Sequence, residues 1–376
     1  MFCPKLLFFV AEDWYFCSHR LPLAVAAKEA GFDVVVVTRV RAHGDIILNS
    51  GLRLIPVKMS RRGMNPLREL GVLFTIWRIY RQERPDIVHH VAIKPVLYGS
   101  VVAWLTGCRD VINAMAGLGY LFNSRRWTAL FLRFWVIWLF RILFSRAGSK
   151  LIVQNPDDVN YFIRNGLIDS EKVVLIRGAG VDTDVFVPAS REPSGPPVVM
   201  LASRLLWDKG VKEFVEAAGM LRRQGVDARF VLVGDSDFEN PAAISPNQLK
   251  IWQETGDVEW WGYQDDMPEV LIRSHLVCLP SYHEGLPKIL LETASCGKPI
   301  VAADVSGCRE IVRHGENGLL VPVRDSGSLA VAIKALLDAP ELRHRMGVAG
   351  RRLVEQEFAQ EIVIEQTLRL YREMLS

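Results

Sequence analysis

Residues 281–304 read SYHEGLPKILLETASCGKPIVAAD. Two carboxylates, Glu284 and Glu292, stand eight positions apart with Pro287 between them. Proline suits the first turn of a helix, where its missing N–H costs no hydrogen bond. The spacing therefore puts Glu284 in the loop before a helix and Glu292 inside it. Such a helix start presents free amides and the positive end of its dipole to a phosphate. An eight-residue helical separation spans about 12 Å, the length of a sugar-diphosphate-ribose unit. The pattern fits a nucleotide-sugar site, and the plain alternative is an ordinary helix with two solvated acids.

On both sides of this segment, apolar runs alternate with helical patterns. Upstream lie PVVMLAS (197–203), a helix over 209–224, RFVLVGD (229–235), a helix near 246–255, VEWWG (258–262), a short helix near 266–273 and LVCLPS (276–281). Downstream lie PIVAAD (299–304) and GLLVP (318–322). Buried β-branched runs alternating with helices indicate an α/β chain with a parallel, doubly wound sheet, which binds ligands at the carboxyl ends of its strands. The N-terminal half repeats the pattern with KLLFFVAE, a helix from Leu21 to Ala30, FDVVVVTR, LRLIPVK, DIVHHV, DVINAMA and LIVQN. Residues 187–197, VPASREPSGPP, are polar and proline-rich, as a domain linker is.

At 376 residues, 50% hydrophobic and 23% charged, the chain is globular and long enough for two cores. Its six cysteines are scattered with no CxxC pair, so neither a zinc ribbon nor a disulfide framework is suggested, and a reducing cytoplasm fits. MFCPKLLFFVAEDW breaks early into Glu12 and Asp13 and reads as a first strand, with no export expected. The net charge of +3 conceals an asymmetry: residues 51–150 hold 16 Lys and Arg against 4 Asp and Glu. Nucleic acid, an anionic membrane and a diphosphate-bearing substrate all suit that basic stretch on charge alone.

The 281–304 segment resembles the E-x7-E signature of retaining family-4 glycosyltransferases. The resemblance implies a GT-B fold, two Rossmann-like domains facing a central cleft. These would be an acceptor-binding, membrane-facing domain over 1–186, a donor-binding domain over 197–359 and a final helix over 360–376 that crosses back. It also implies that Glu284 bonds donor-sugar hydroxyls, that the Gly285 and Leu286 amides hold phosphate, and that Glu292 holds the ribose. In LASRLLWDKG, Arg204 and Lys209 follow a strand, where two fixed cations can neutralise a leaving diphosphate. In the family this pair does that work; singly, each reads as a solvated surface charge. Gly234 in GDS and Gly262 and Tyr263 in WWGY would line the nucleotide pocket, while Trp260 and Trp261 read equally as core aromatics. In GAGVDTDVF (178–186), Asp182 and Phe186 read as structural.

The first domain matches the family less closely. Its first loop, VAEDWYFCSHRLPLA, lacks the usual glycines and carries Glu12, Asp13, His19 and Arg20. Alignment on Gly117 puts Ala116 where relatives carry a histidine, so His89 and His90 are the nearest replacements, and His90 is taken as a catalytic candidate. Strand alternation lets one of the two point into the cleft, and a core histidine is the alternative for each. AIKPVLYGS and MAGLGYLF resemble relatives with polyprenyl-diphosphate-linked acceptors, which places Lys94, Asn113 and Gly117 to Gly119 near the acceptor, with His19 and Arg20 as further candidates.

WTALFLRFWVIWLFRILF (127–144) is near the length of a bilayer crossing, but Arg133 and Arg141 argue against a simple span. A helix lying in the membrane interface fits, with Trp135 and Trp138 at headgroup depth. Arg125, Arg126, Arg61, Arg62 and Arg68 would meet anionic lipid or the acceptor diphosphate. A buried helix of the first domain is the alternative. No metal-ligand spacing is evident, and Asp157–Asp158 and Asp265–Asp266 read as helix-start acids. The sequence thus leads to a metal-independent retaining glycosyltransferase without cofactor, peripheral on the cytoplasmic face of a membrane and with no nucleic-acid partner. It would move a sugar from a nucleotide diphosphate, UDP by resemblance, to a lipid-linked saccharide. A UDP-sugar epimerase of similar fold, a transferase with a soluble acceptor and a non-catalytic glycan- or lipid-binding protein are the alternatives.

Overall fold

The computed structural model describes residues 3–60, 65–115, 127–237 and 239–376, with side chains of the helix at 127–144 described from residue 135 onward. The chain divides into two compact units, Met1–Ala179 with Val363–Ser376, and Gly180–Ile362.

Unit 1 is built on a parallel sheet of β1 (Lys5–Glu12), β2 (Asp33–Arg39), β3 (Arg53–Pro56), β4 (Ile87–Val91), β5 (Asp110–Ala114), β6 (Ser149–Val153) and β7 (Val173–Leu175). Its order is β3-β2-β1-β4-β5-β6-β7. Strands such as LLFFV and VVVVT are buried on both faces, which is why they read as continuous apolar runs. The helices are α1 (Asp13–His19), α2 (Leu21–Glu29), α3 (Gly44–Asn49), α4 (Pro66–Glu83), α5 (Ile93–Thr106), α6 (Trp127–Phe144) and α7 (Pro156–Arg164). The stretch expected as a first loop contains α1. The Asp13 carboxylate organises it by accepting the backbone N–H groups of Trp14, Arg41 and His43.

Unit 2 carries β8 (Val198–Ala202), β9 (Arg229–Val233), β10 (Glu259–Trp260), β11 (Leu276–Leu279), β12 (Ile300–Ala303) and β13 (Gly318–Val321), ordered β10-β9-β8-β11-β12-β13 and all parallel. Its helices are α8 (Val211–Arg223), α9 (Pro246–Glu254), α10 (Met267–Ile272), α11 (Lys288–Ser295), α12 (Ser306–Arg309), α13 (Ser326–Leu337) and α14 (Pro340–Glu357). Two Rossmann-like α/β units result, as the alternation of runs predicts. The last helix, α15 (Gln360–Leu375), carries the chain from unit 2 back to unit 1, where Leu368, Leu370 and Tyr371 join the core of Phe8, Val34 and Ile112.

Two boundaries differ from the sequence reading. Residues 180–186, assigned to the first domain, pack in unit 2: Phe186 is buried in its core, and Asp182 Oδ1 accepts the N–H groups of Asp184 and Val185. The proline-rich stretch is fastened to unit 2, because the buried Arg343 reaches Glu192 at 3.4 Å and His275 Nε2 lies 3.2 Å from Pro193 O. The chain passes between units at 179–180 and 362–363, beside the pairing of Val181 with Ala359.

Candidate active site

The loops bearing Arg204, Lys209, Gly234, Gly262 and Glu284 leave the carboxyl ends of β8, β9, β10 and β11. Strand order reverses between β8 and β11, the place where open parallel sheets bind ligands. Lys209 ends a 3-10 turn over Trp207–Lys209, and Gly210 follows at φ 71°. A Cβ on Gly210 would also lie 2.1 Å from Pro280 O, so glycine alone lets the β8 loop press against the β11 loop. Asp208 O then accepts from Tyr282 N–H at 2.8 Å and Ser281 Oγ–H at 3.2 Å. This stitch holds Lys209 Nζ 2.5 Å from Glu284 Oε1, with side chains 18% and 10% exposed.

Beside that pair, Arg204 Nη1 lies 3.0 Å from Asp237 Oδ2. Gly234, at φ 120°, permits the approach of Ser203 O to 1.9 Å from where a Cβ would stand. Its N–H donates to Gly262 O at 2.8 Å, and Trp260 Nε1–H donates to Gly234 O at 2.8 Å. Trp260 thus fixes the loop from beneath, Trp261 packs on the core, and Tyr263 is exposed beyond Gly262. Burial, with Asp265 nearby, pushes the Tyr263 phenol up.

Pro287 is the cap residue of α11, one place before the first helical residue. Glu284 lies in the preceding loop and Glu292 is the fifth residue of the helix, 2.9 Å from Lys288 Nζ. Leu286 is buried in the unit 2 core. A Cβ on Gly307 would lie 2.4 Å from Gly285 O, so that glycine lets α12 meet the Glu284–Gly285 backbone. Each acid is therefore answered by a lysine at the carboxyl edge of the sheet. Two cations and the α11 start could accept a diphosphate there, while the acids accept hydroxyl donors.

Several residues at this edge escaped the sequence reading. Asp237 pairs with Arg204, and its signal is the second acid of GDSD. Tyr282 O–H donates to Glu213 Oε1 at 2.7 Å beneath the Arg324 guanidinium, 4.5 Å from its ring; burial first, then Glu213, raises its phenol to about 12. Burial lowers the His283 imidazole despite Asp208 nearby. No sequence spacing links Tyr282, Glu213 and Arg324.

In unit 1, the strand pleat sends His89 and His90 to opposite faces of β4. His90 is wholly buried, with Nδ1 2.8 Å from Asn113 Oδ1 and Nε2 2.9 Å from Tyr80 O–H. Because an amide oxygen only accepts, Nδ1 carries the proton and Nε2 accepts from Tyr80. Gly99 makes the room, since a Cβ there would lie 2.4 Å from His90 Nε2. Burial lowers His90 to about 4, and both ring nitrogens are engaged within unit 1. Asn113, also buried, accepts from Ser100 Oγ–H at 3.0 Å in the same network.

Lys94 Nζ bonds Ser60 O at 2.7 Å and Glu69 Oε1 at 2.9 Å, bracing α5 against α4. His19 stacks on Tyr15 at 4.1 Å, and Arg20 is buried at the start of α2. Trp135 and Trp138 are exposed on α6, whereas Val136, Phe140, Leu143 and Phe144 of the same helix are buried. The helix thus has one exposed aromatic face and one face in the core. Arg61, Arg62, Ala116, Gly117 to Gly119, Arg125 and Arg126 lie outside the described residues. Among the described residues no helix is long and apolar enough to cross a membrane, and no cluster of three metal-ligating side chains occurs.

Comparison with known proteins places these features in a family. Residues 182–353 match the family described as glycosyl transferases group 1, and residues 5–155 the one described as glycosyl transferase 4-like. The chain is 28% identical, over 94% of both chains, to N,N'-diacetylbacillosaminyl-diphospho-undecaprenol alpha-1,3-N-acetylgalactosaminyltransferase of Campylobacter jejuni. It is 24% identical, over 82% of its length and 80% of the relative, to UDP-Gal:alpha-D-GlcNAc-diphosphoundecaprenol alpha-1,3-galactosyltransferase of Escherichia coli. Among solved structures, a glycosyltransferase from Rickettsia africae superposes with a TM-score of 0.80 at 18% identity, over 100% of both chains. Anabaena Alr3699/HepE in complex with UDP superposes with a TM-score of 0.78 at 19% identity, over 98% of this chain and 100% of that one. With both units matched and the acid-lysine pairs seated at the strand ends of the second, the chain belongs to the group 1 glycosyltransferases, retaining family-4 enzymes of the GT-B fold.

Proposed function

We propose that this glycosyltransferase takes a sugar from a UDP-sugar and gives it to a polyprenyl-diphosphate-linked saccharide at the cytoplasmic face of a membrane, without a metal ion. The observation that carries the donor half is the Lys209–Glu284 pair with Arg204–Asp237 beside it at the strand reversal of unit 2. The acceptor hydroxyl attacks the anomeric carbon on the face the diphosphate leaves. The new C–O bond forms as the bond to phosphate breaks, and a phosphate oxygen takes the hydroxyl proton. Arg204 and Lys209 stabilise the charge growing on that phosphate, an effect worth about 3 to 4 kcal/mol per well-placed donor. Glu284 orients the sugar, Glu292 the ribose, and the Gly285 and Leu286 amides the phosphate. The loop at Gly234, Gly262 and Tyr263 borders the base.

The acceptor half rests on the Campylobacter and Escherichia relatives, both of which act on undecaprenyl-diphosphate-linked sugars by name. Exposed apolar residues on helices of unit 1 support membrane contact: Leu67, Leu70 and Phe74 on α4, Trp104 and Leu105 on α5, and Trp135, Trp138 and Ile142 on α6. Arg68, Arg78, Arg81 and Arg141 on α4 and α6 add the charge that anionic lipid attracts.

The test incubates the full chain with labelled UDP-sugars and a polyprenyl-diphosphate-linked acceptor in excess EDTA. Label moving to lipid supports transfer. A free nucleotide sugar changed at one carbon supports epimerisation, label on a soluble saccharide supports a soluble acceptor, and a requirement for added Mg²⁺ or Mn²⁺ overturns metal independence.

A further inference from the structure

Tyr282 grips the chain at two points that bracket Lys209. Its backbone N–H donates to Asp208 O at 2.8 Å, and its phenol donates to Glu213 Oε1 at 2.7 Å. Asp208 immediately precedes Lys209, and Glu213 is the third residue of α8, in its first turn. Glu284, the other half of the ion pair, stands just past Tyr282 in the β11 loop. The Lys209–Glu284 pair is therefore carried on a clasp to which neither side chain of the pair belongs. Burial, then Glu213, raises the phenol to about 12, so it keeps its hydrogen and donates throughout the neutral range. Two costs are concentrated here. Glu213 is 6% exposed, and its Oε2 is buried with no partner among the described residues. Burying a carboxylate on one hydrogen bond opposes folding, and an apolar side chain would fill the same place without that penalty. Arg324, in the turn after β13, holds φ 61°, which residues other than glycine seldom adopt, and its guanidinium lies 4.5 Å from the centre of the Tyr282 ring.

The donor site proposed above requires Lys209 and Glu284 to part, the lysine turning to the diphosphate and the acid to the sugar. Their mutual contact then no longer holds the two loops together, whereas the Tyr282–Glu213 bond involves neither of them. We propose that Tyr282 and Glu213 are positioning residues for the transfer reaction, whose hydrogen bond keeps Lys209 and Glu284 in register across the β8 and β11 loops when the donor separates them. The role during turnover rests on that donor site; the hold on the Lys209–Glu284 pair itself does not.

The experiment measures the Lys209–Glu284 coupling with the clasp intact and broken. Wild type, Lys209→Met, Glu284→Gln and the double variant of the full chain are unfolded in urea, as they are and in a Tyr282→Phe background, which removes one hydroxyl and keeps the ring beside Arg324. The coupling should fall to about half or less in the Phe background. If Tyr282 merely adds stability, all four midpoints move together and the coupling is unchanged, which overturns the proposal. Turnover is read as nucleotide release from the UDP-sugar that wild type uses, at a temperature where every variant is folded. Tyr282→Phe and Glu213→Leu should each lower kcat about tenfold while UDP affinity stays within about threefold, because misplacing the reacting groups costs rate more than nucleotide binding. Combined, they should lose no more than either alone, since both break one bond. Glu213→Gln still offers an oxygen to the phenol and should recover most of what Glu213→Leu loses. Full kcat in Tyr282→Phe, or losses that multiply in the combined variant, would remove the positioning role. A wild type that releases no nucleotide from any UDP-sugar would refute the donor site alone, because the urea cycle reads the clasp without a donor.

Discussion

Replacing Lys209 with Met removes the cation while keeping most of the side-chain volume. At an effective dielectric of 20, two charges 2.5 Å apart attract by about 6 to 7 kcal/mol, most of which offsets their desolvation. Losing one partner strands Glu284, whose side chain is 10% exposed, so unfolding should become easier by about 3 kcal/mol, the lower end of the range for buried pairs. Turnover should fall by about 100- to 1000-fold if Lys209 also faces the leaving diphosphate. Lys209→Met with Glu284→Gln separates the two effects, because removing both charges should bring stability back to within about 1 kcal/mol. Turnover should stay low. Urea midpoints followed by tryptophan fluorescence, and nucleotide release with the UDP-sugar that wild type uses, give the two readings. Recovery of turnover along with stability in the double variant would refute the catalytic role and leave Lys209 a structural ion.

Gly210→Ala should cost at least about 2 kcal/mol and lower donor affinity as well, because both φ 71° and the 2.1 Å approach to Pro280 O exclude a Cβ; an unchanged urea midpoint would contradict the loop stitch. Trp135→Ser with Trp138→Ser should leave the unfolding midpoint nearly unchanged, as both rings are about half exposed, yet weaken binding to anionic vesicles in flotation; early unfolding would assign them to the core. Asp158, near the start of α7, is raised to about 6 by burial, from an unfolded value near 3.8. A raised carboxyl favours the folded state when protonated, so its contribution is present below about pH 4 and lost as pH rises through 6. Asp158→Asn should therefore stabilise unit 1 by about 1 to 2 kcal/mol at pH 7 and flatten the slope between pH 4 and 6 in pH-dependent urea titrations.

What the sequence determined by itself was the local and the periodic. Runs such as VVMLA and IVAA are buried on both faces, so their apolar content alone marks parallel strands, and the E-x7-E spacing across Pro287 fixes which acid lies in the loop and which in the helix. The loops with Arg204, Lys209, Gly234 and Glu284 were legible because each follows a readable strand. Their partners were not. Lys209 and Glu284 are 75 positions apart, and Gly210 shows its purpose only when Pro280 O arrives beneath it. His89 and His90 look interchangeable in DIVHHV, yet the pleat gives one to Tyr371, 282 positions away, and the other to Tyr80 and Asn113. The exposed and buried faces of α6 were one aromatic run in sequence, because hydrophobicity records what a side chain dislikes and only packing decides which side chains are covered.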